Sequence, residues 1–296
     1  MSAPCVICTG LVTVDVVYDL EKLPAEGRKA RAVDARMIAG GGALNAAATI
    51  ASLGGHAMLA ASVGDDEFGR VVRKKISELG IDDTLFRTLP GVGTAHSAVL
   101  VTPGGERTIV NRRDDRLFGT WSAAIPAAFD AVLADTRWPD GAVALFDCAG
   151  ARGLPAVLDV EAPVRPAGAA LLRATHLAFS EQGLNDYAPG SPAAALGRIP
   201  GGVWACVTRG TDPVLCRDAG GRFCEVPVFP TQALDTLGAG DVWHGAFALG
   251  LAEGLVEADA VRRANASAAV KVTRRTGEAW PTPAEVAALM ARTGAA

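Results

Sequence analysis

Residues Asp235–Phe247 read DTLGAGDVWHGAF. Gly238, Ala239 and Gly240 stand where a helix should begin, Asp241 follows at once, and an apolar helical run continues. The first amides of a helix lack internal partners and lie at the positive end of its dipole. A start built from small residues therefore lets an anion approach the backbone. The alternative is a tight turn packed under a neighbouring strand. Asp241 sharpens the choice, because a carboxylate beside a phosphate site repels it unless it faces the acceptor instead. There an aspartate, with an ordinary pKa of about 3.9, can take the proton of an alcohol whose oxygen attacks a terminal phosphorus. Its other reading is an acidic residue favoured only by the helix dipole. No G-x-x-x-x-G-K-[ST] occurs and GAGDVWHG does not fit G-x-G-x-x-G, so nucleotide use would proceed without a P-loop.

Outward from this stretch, the apolar runs CVICTGLVTV, AMLAASVG, AAFDAVLAD, PAVLDV, HLAFS and VWACVT have the length of buried strands. Between them lie the helical patterns LNAAATIASLGG, EFGRVVRKKISELG, GAVALFDCAGARG and PAGAALLRAT. Three more follow: GDVWHGAFALGLAEG, DAVRRANASAAVKVTRRTG and TPAEVAALMARTG. Such alternation predicts an α/β fold, a mostly parallel sheet covered by helices on both faces. Residues 12–39 and 93–112 break the rhythm as alternating strands without helices, which predicts a small β lid within one domain spanning 1–296.

The bulk numbers narrow the classes. Lys plus Arg total 28 and Asp plus Glu 32, a net charge of −4, which leaves no basic excess for a nucleic-acid partner. No apolar run reaches membrane-span length and the N-terminus lacks a signal-peptide pattern, so a cytoplasmic protein is expected. The six cysteines lie mostly in apolar runs and read as reduced core thiols; Cys5 and Cys8 form a C-x-x-C, but on an apparent strand.

These residues resemble the ribokinase-type (PfkB) carbohydrate kinases. The signature D-T-x-G-A-G-D is matched at Asp235, Thr236, Gly238, Ala239, Gly240 and Asp241, and a second one by GGGALNAAATIASLGG. VGDDEFG, GGERT at 104–108 and RANASAAVKVTRRTG are similar too. The resemblance implies a ribokinase-like three-layer sandwich that uses ATP and Mg2+. It makes Asp241 the catalytic base and Gly238, Ala239 and Gly240 the anion hole. It assigns Asp15, Gly40, Gly41 and Asn45 to the sugar. Thr208, Gly210, Asn265 and Gly277 fall to the nucleotide side. The backbone of Asp235 matches a monovalent-cation (K+) site of some relatives. Many members carry N-x-x-E after the strand matching HLAFS; here Ser180, Glu181, Gln182 and Gly183 stand instead, leaving Glu181 to reach magnesium only through water. Each has a plainer alternative, such as Asn45 as a helix cap or Gly277 as a helix stop.

For the acceptor, GLVTVDVV and DTLGAGD are similar to ketohexokinase, while LPAEGRK, TIVNRRD, VLADTRWPDGA, THLAFSEQGL and GAGDVWHGA resemble sulfofructose kinases. The latter resemblance places Lys29, Asn111 and Arg137 around a sulfonate, with 6-deoxy-6-sulfofructose phosphorylated at O1. A sulfonate is ionised at any cellular pH and needs cationic partners when enclosed; arginine supplies a planar fork and lysine a point charge. Fructose, ribose or a keto-deoxy sugar acid are the alternatives, and a non-catalytic sugar-binding protein is the other class. His244, one turn after Asp241, reads as packing beneath the site. Unpaired lid strands predict a homodimer joined through them.

Overall fold

Strands whose every residue is buried run through the centre of the molecule: CVICT, AVLAD and AVLDV carry no exposed position. The computed structural model describes residues 3–104, 106–275, 277 and 279–292; Gly105, in the GGERT motif, lies outside them. In chain order the first part runs β1 (Cys5–Thr9), β2 (Thr13–Asp19), β3 (Asp34–Gly40), α1 (Gly42–Ser52), β4 (His56–Ala60) and β5 (Ser62–Gly64). It continues through α2 (Glu67–Glu78), β6 (Arg87–Leu89), β7 (His96–Val101), β8 (Arg107–Arg112), β9 (Ala131–Asp135), α3 (Pro139–Gly150) and β10 (Ala156–Val160). Next come α4 (Gly168–Leu171), β11 (His176–Ser180), α5 (Glu181–Tyr187), α6 (Pro192–Leu196), β12 (Trp204–Arg209), β13 (Asp212–Arg217) and β14 (Phe223–Val226). The helices α7 (Ala239–Ala252), α8 (Glu257–Val272) and α9 (Pro283–Arg292) follow.

The main sheet has the order β14-β13-β12-β11-β10-β9-β1-β4. From β4 to β12 every pairing is parallel, and β13 and β14 add an antiparallel edge. Parallel strands need both faces covered. Residues of α1, α2, α7 and α8 build one apolar core against the sheet, and those of α3, α5 and α6 build the other. Alternation of side chains along β1 puts Cys5 into one core and Cys8 into the other, so the C-x-x-C cannot close on a common ligand. No helix among the described residues is long and apolar enough to cross a membrane.

A second sheet, β3-β2-β7-β8, lies apart from the first. The run CVICTGLVTV is therefore two strands: Gly10 separates β1 in the large sheet from β2 in the small one. Register places Asp15 opposite Ser97, and Ser97 opposite Asn111, so these three share one face of the small sheet. Its edge strand β8 is exposed throughout, and Val33, Met37, Ile109 and Val110 remain open to solvent.

Candidate active site

All six parallel strands end at the same edge of the main sheet, where ligands of open α/β sheets gather. α7 begins there. Its N-cap, Gly238, has φ 76°, a left-handed conformation that suits glycine. Among the described residues the amides of Gly238, Gly240 and Asp241 donate to no partner, whereas the Ala239 amide closes a turn onto the Thr236 carbonyl at 3.2 Å. Ala239 thus departs from the expected trio: three bare amides remain, and Asp241 supplies the third.

Asp241 lies partly exposed on this first turn and accepts a hydrogen bond from Asn45 Nδ2 at 2.7 Å. Burial lifts its carboxyl above the ordinary range, while the Asn45 amide and the Lys271 charge pull it back. Asn45 reaches it because α1 starts at the turn Gly40–Gly42. Gly41 has φ 97°, and a methyl group on it would sit 2.4 Å from the Leu11 carbonyl oxygen, so the approach of the two segments excludes any side chain. A methyl on Gly42 would lie 3.6 Å from Asp241 Oδ1 and 3.2 Å from Asp135 Oδ2; one on Gly40 would lie 3.8 Å from Asp15 Oδ2. Asp15, Asn45 and Asp241 therefore converge on a small-residue turn. Burial raises the Asp15 carboxyl, its hydrogen bond with Ser97 opposes this, and the Asp241 charge adds to the rise.

Two acids that the sequence reading passed over complete this edge. Asp135, at the end of β9, is buried and accepts the Leu11 and Arg137 amides at 2.7 and 2.8 Å. Burial pushes its carboxyl up to about 6 against those bonds. Asp159, near the end of β10, is held well above the carboxylate range by burial and by the charges of Asp241, Glu161 and Asp135. His244 Nδ1 faces it at 3.4 Å, and burial lowers the imidazole to about 4. His244 packs beneath Asp241, as its position one turn further along α7 requires.

The predicted anion-binding trio is not brought together whole. Arg137 is half-buried after β9, and its guanidinium donates to the Ala162 carbonyl at 3.1 Å. Arg113 lies near it: burial and the Arg137 charge depress its ionisation, and Asp135 opposes them. Asn111 is exposed on the face of Asp15 and Ser97. Lys29, by contrast, is exposed in the 20–33 loop, and among the described residues no hydrogen bond or ion pair joins it to these groups. Arg113 is the cation whose charge reaches Arg137 here.

Of the residues expected on the nucleotide side, Thr208 stands one residue before the end of β12 with its hydroxyl donating to the Phe179 carbonyl, and Gly210 turns into β13 with φ 60°. Glu181 opens α5 and is exposed; Ser180 caps that helix by accepting the Gly183 amide at 3.0 Å. Gly277 lines an open cleft of about 540 Å³ together with Asn45, Gly238 and Lys271. Among the described residues Asn265 lines neither of the two large clefts. It is 4% exposed, accepts Trp243 Nε1 at 2.7 Å and donates to the Pro227 carbonyl at 3.0 Å, so its amide ties α7, α8 and the end of β14 together. Where the resemblance implies an adenine contact, this structure has the Asn265 side chain as an internal brace.

Among the described residues no group of three or more His, Cys, Asp or Glu is arranged to hold a metal. Magnesium is usually carried by nucleotide phosphates and water with one or two carboxylates, and Glu161 and Glu181, following the neighbouring strands β10 and β11, fit that lighter demand.

Comparison with known proteins bears on the family and the fold. The model of the pfkB family carbohydrate kinases matches residues 4–284. The chain is similar to ribokinase of Bacillus subtilis, 28% identical and covering 90% of this chain and 92% of that protein. It is also similar to the ATP-dependent ribose-1-phosphate kinase of Halopiger xanaduensis, 29% identical over 96% and 97% of the two chains. Among solved structures, a protein of Agrobacterium tumefaciens provisionally assigned as a ribokinase superposes with a TM-score of 0.92 at 34% identity, over 98% of each chain. With its family model matched over almost the whole length, the chain belongs to the PfkB family of ATP-dependent carbohydrate kinases.

Proposed function

We propose that the protein transfers the γ-phosphoryl group of ATP to a primary hydroxyl of an anionic ketohexose, with 6-deoxy-6-sulfofructose at O1 as the favoured acceptor. The observation that supports the anionic part is Arg137, half-buried beside Asp135 at the end of β9, with the exposed Arg113 close enough for the two charges to oppose each other. Two guanidiniums within electrostatic reach repel each other, and a bound anion would relieve that cost. Arg137 commits a single bond to Ala162, leaving donors of its fork for a sulfonate or carboxylate. Asn111 adds a neutral donor from the lid.

In this reading Asp15, Asn45 and the Gly40–Gly41 turn orient the acceptor. Asp241 takes the hydroxyl proton as the oxygen bonds to the γ-phosphorus, and the bond from that phosphorus to the ADP oxygen breaks. The bare amides of Gly238, Gly240 and Asp241 receive the charge that shifts onto the phosphoryl oxygens. Thr208 and Gly210 stand by the nucleotide phosphates, and Gly277 by its base. Magnesium would neutralise phosphate charge, with Glu161 and Glu181 reaching it through water. The small sheet acts as a lid that excludes water. Its exposed apolar residues Met37, Ile109 and Val110 support pairing of two copies through these strands. The six free cysteines, four of them buried, suit a cytoplasmic setting.

The ribokinases among the relatives favour a neutral pentose instead, whereas ribose 1-phosphate, named for the Halopiger xanaduensis enzyme, is itself an anion. A screen of ADP release separates the two readings, using fructose, ribose, a keto-deoxy sugar acid and sulfofructose. The proposal expects kcat/KM for sulfofructose at least about tenfold above fructose, the worth of one charge-assisted pair. Equal efficiencies would remove the anionic assignment, and no ADP with any sugar would remove the acceptor class.

A further inference from the structure

Lys271 is a lysine where the pattern expects a small apolar residue. It lies in the run SAAVKV of α8 between Ala269 and the helix end, and only 6% of its surface is exposed. Enclosing an ammonium costs several kcal/mol unless oxygen atoms hold it. Its Nζ donates to the carbonyl oxygen of Asp235 at 3.2 Å. The amides of Leu234 and Asp235 in turn donate to the Val272 carbonyl at 2.7 and 3.1 Å. Residues 234–235 are thus stapled to the last turn of α8 from both polar ends of the backbone.

The staple leads straight into the catalytic turn. The Asp235 carboxylate caps the Leu237 amide at 2.9 Å and accepts Arg107, from lid strand β8, at 2.8 Å. Thr236 then takes the Ala239 amide, Gly238 adopts its left-handed conformation, and the bare amides follow. Where those amides point is therefore fixed by a chain of bonds that starts at Lys271. The same ammonium pulls the Asp241 carboxyl toward its ionised form.

The Asp235 carbonyl is the oxygen that the resemblance gives to a potassium ion. A second cation on an oxygen already taken by an ammonium would be repelled, so the residues present do not fit that ion. We infer that Lys271 is a positioning residue that supplies this positive charge from within the chain, setting the phosphate-receiving turn without a monovalent metal ion. Lys271 acts through the turn.

The test is calorimetric binding of a non-hydrolysable ATP analogue with Mg2+, at constant ionic strength in choline, potassium or ammonium chloride. It requires no sugar, so its outcome is independent of the acceptor assignment. Wild-type affinity is expected to differ by less than about twofold among the salts. Lys271→Ala is expected to bind about tenfold more weakly in choline and to recover in potassium or ammonium, which can enter the space left by the side chain. A structural role alone gives no such rescue. The inference is overturned if potassium strengthens wild-type binding about tenfold. It is equally overturned if the folded variant binds normally in choline, or stays weak in all three salts. Should Lys271→Ala fail to fold, the wild-type comparison decides by itself.

Discussion

Asp241→Asn is expected to lower kcat by at least about a hundredfold while sugar and nucleotide affinities stay within about threefold, since general bases contribute roughly 10²–10⁴. The replacement is isosteric and its amide oxygen can still accept the Asn45 Nδ2 bond, so packing and orientation of α1 against α7 persist. What disappears is the group that takes the proton when the P–O bond forms. Wild-type pH dependence carries the same signature. The base must be ionised, and burial raises its pKa, so the acidic limb of kcat/KM should lie above the ordinary value of about 3.9. Steady-state ADP release across pH checks both points. Turnover above about a hundredth of wild type in the variant would contradict the assignment of Asp241.

Arg137→Ala is expected to reduce kcat/KM for sulfofructose by about ten- to hundredfold, chiefly through KM, and to change fructose by less than about threefold, the loss of one or two charge-assisted bonds. The selectivity of the effect is what matters. The Arg137 amide, which anchors Asp135 at 2.8 Å, survives the substitution, so the catalytic edge keeps its support. The lost bond to the Ala162 carbonyl is shared by every acceptor. If both sugars suffer equally, Arg137 braces the 162 segment and reads no anion. Arg113 is left to hold part of the affinity, which is why the loss should be graded.

Much of this was legible in the chain because the physics was local. Runs such as AVLDV are apolar at every position, and a strand buried on both faces leaves that mark. The DTLGAGD stretch likewise carries its turn, its helix start and its acid within seven consecutive residues. What escaped depends on distant partners. Asp135 and Asp159 close apolar runs and looked like strand ends; only the fold sets them beside Asp241, although two buried strands each carrying an aspartate near their ends were a usable signal. Lys271 stands out only as a charge in the run SAAVKV, and what holds its ammonium shows only once α8 packs against the 235 turn. Asn265 is the converse case: the resemblance gave it to the nucleotide, and only the fold shows its side chain bonded to Trp243 and Pro227. CVICTGLVTV looked like one strand because Gly10 is a break only once the small sheet exists.

The most direct measurement is a structure of the protein with a non-hydrolysable ATP analogue and its acceptor. The account predicts terminal phosphate oxygens on the amides of Gly238, Gly240 and Asp241, with the reacting hydroxyl bonded to the Asp241 carboxylate. A phosphate tail seated elsewhere, or a hydroxyl held away from that carboxylate, would contradict it.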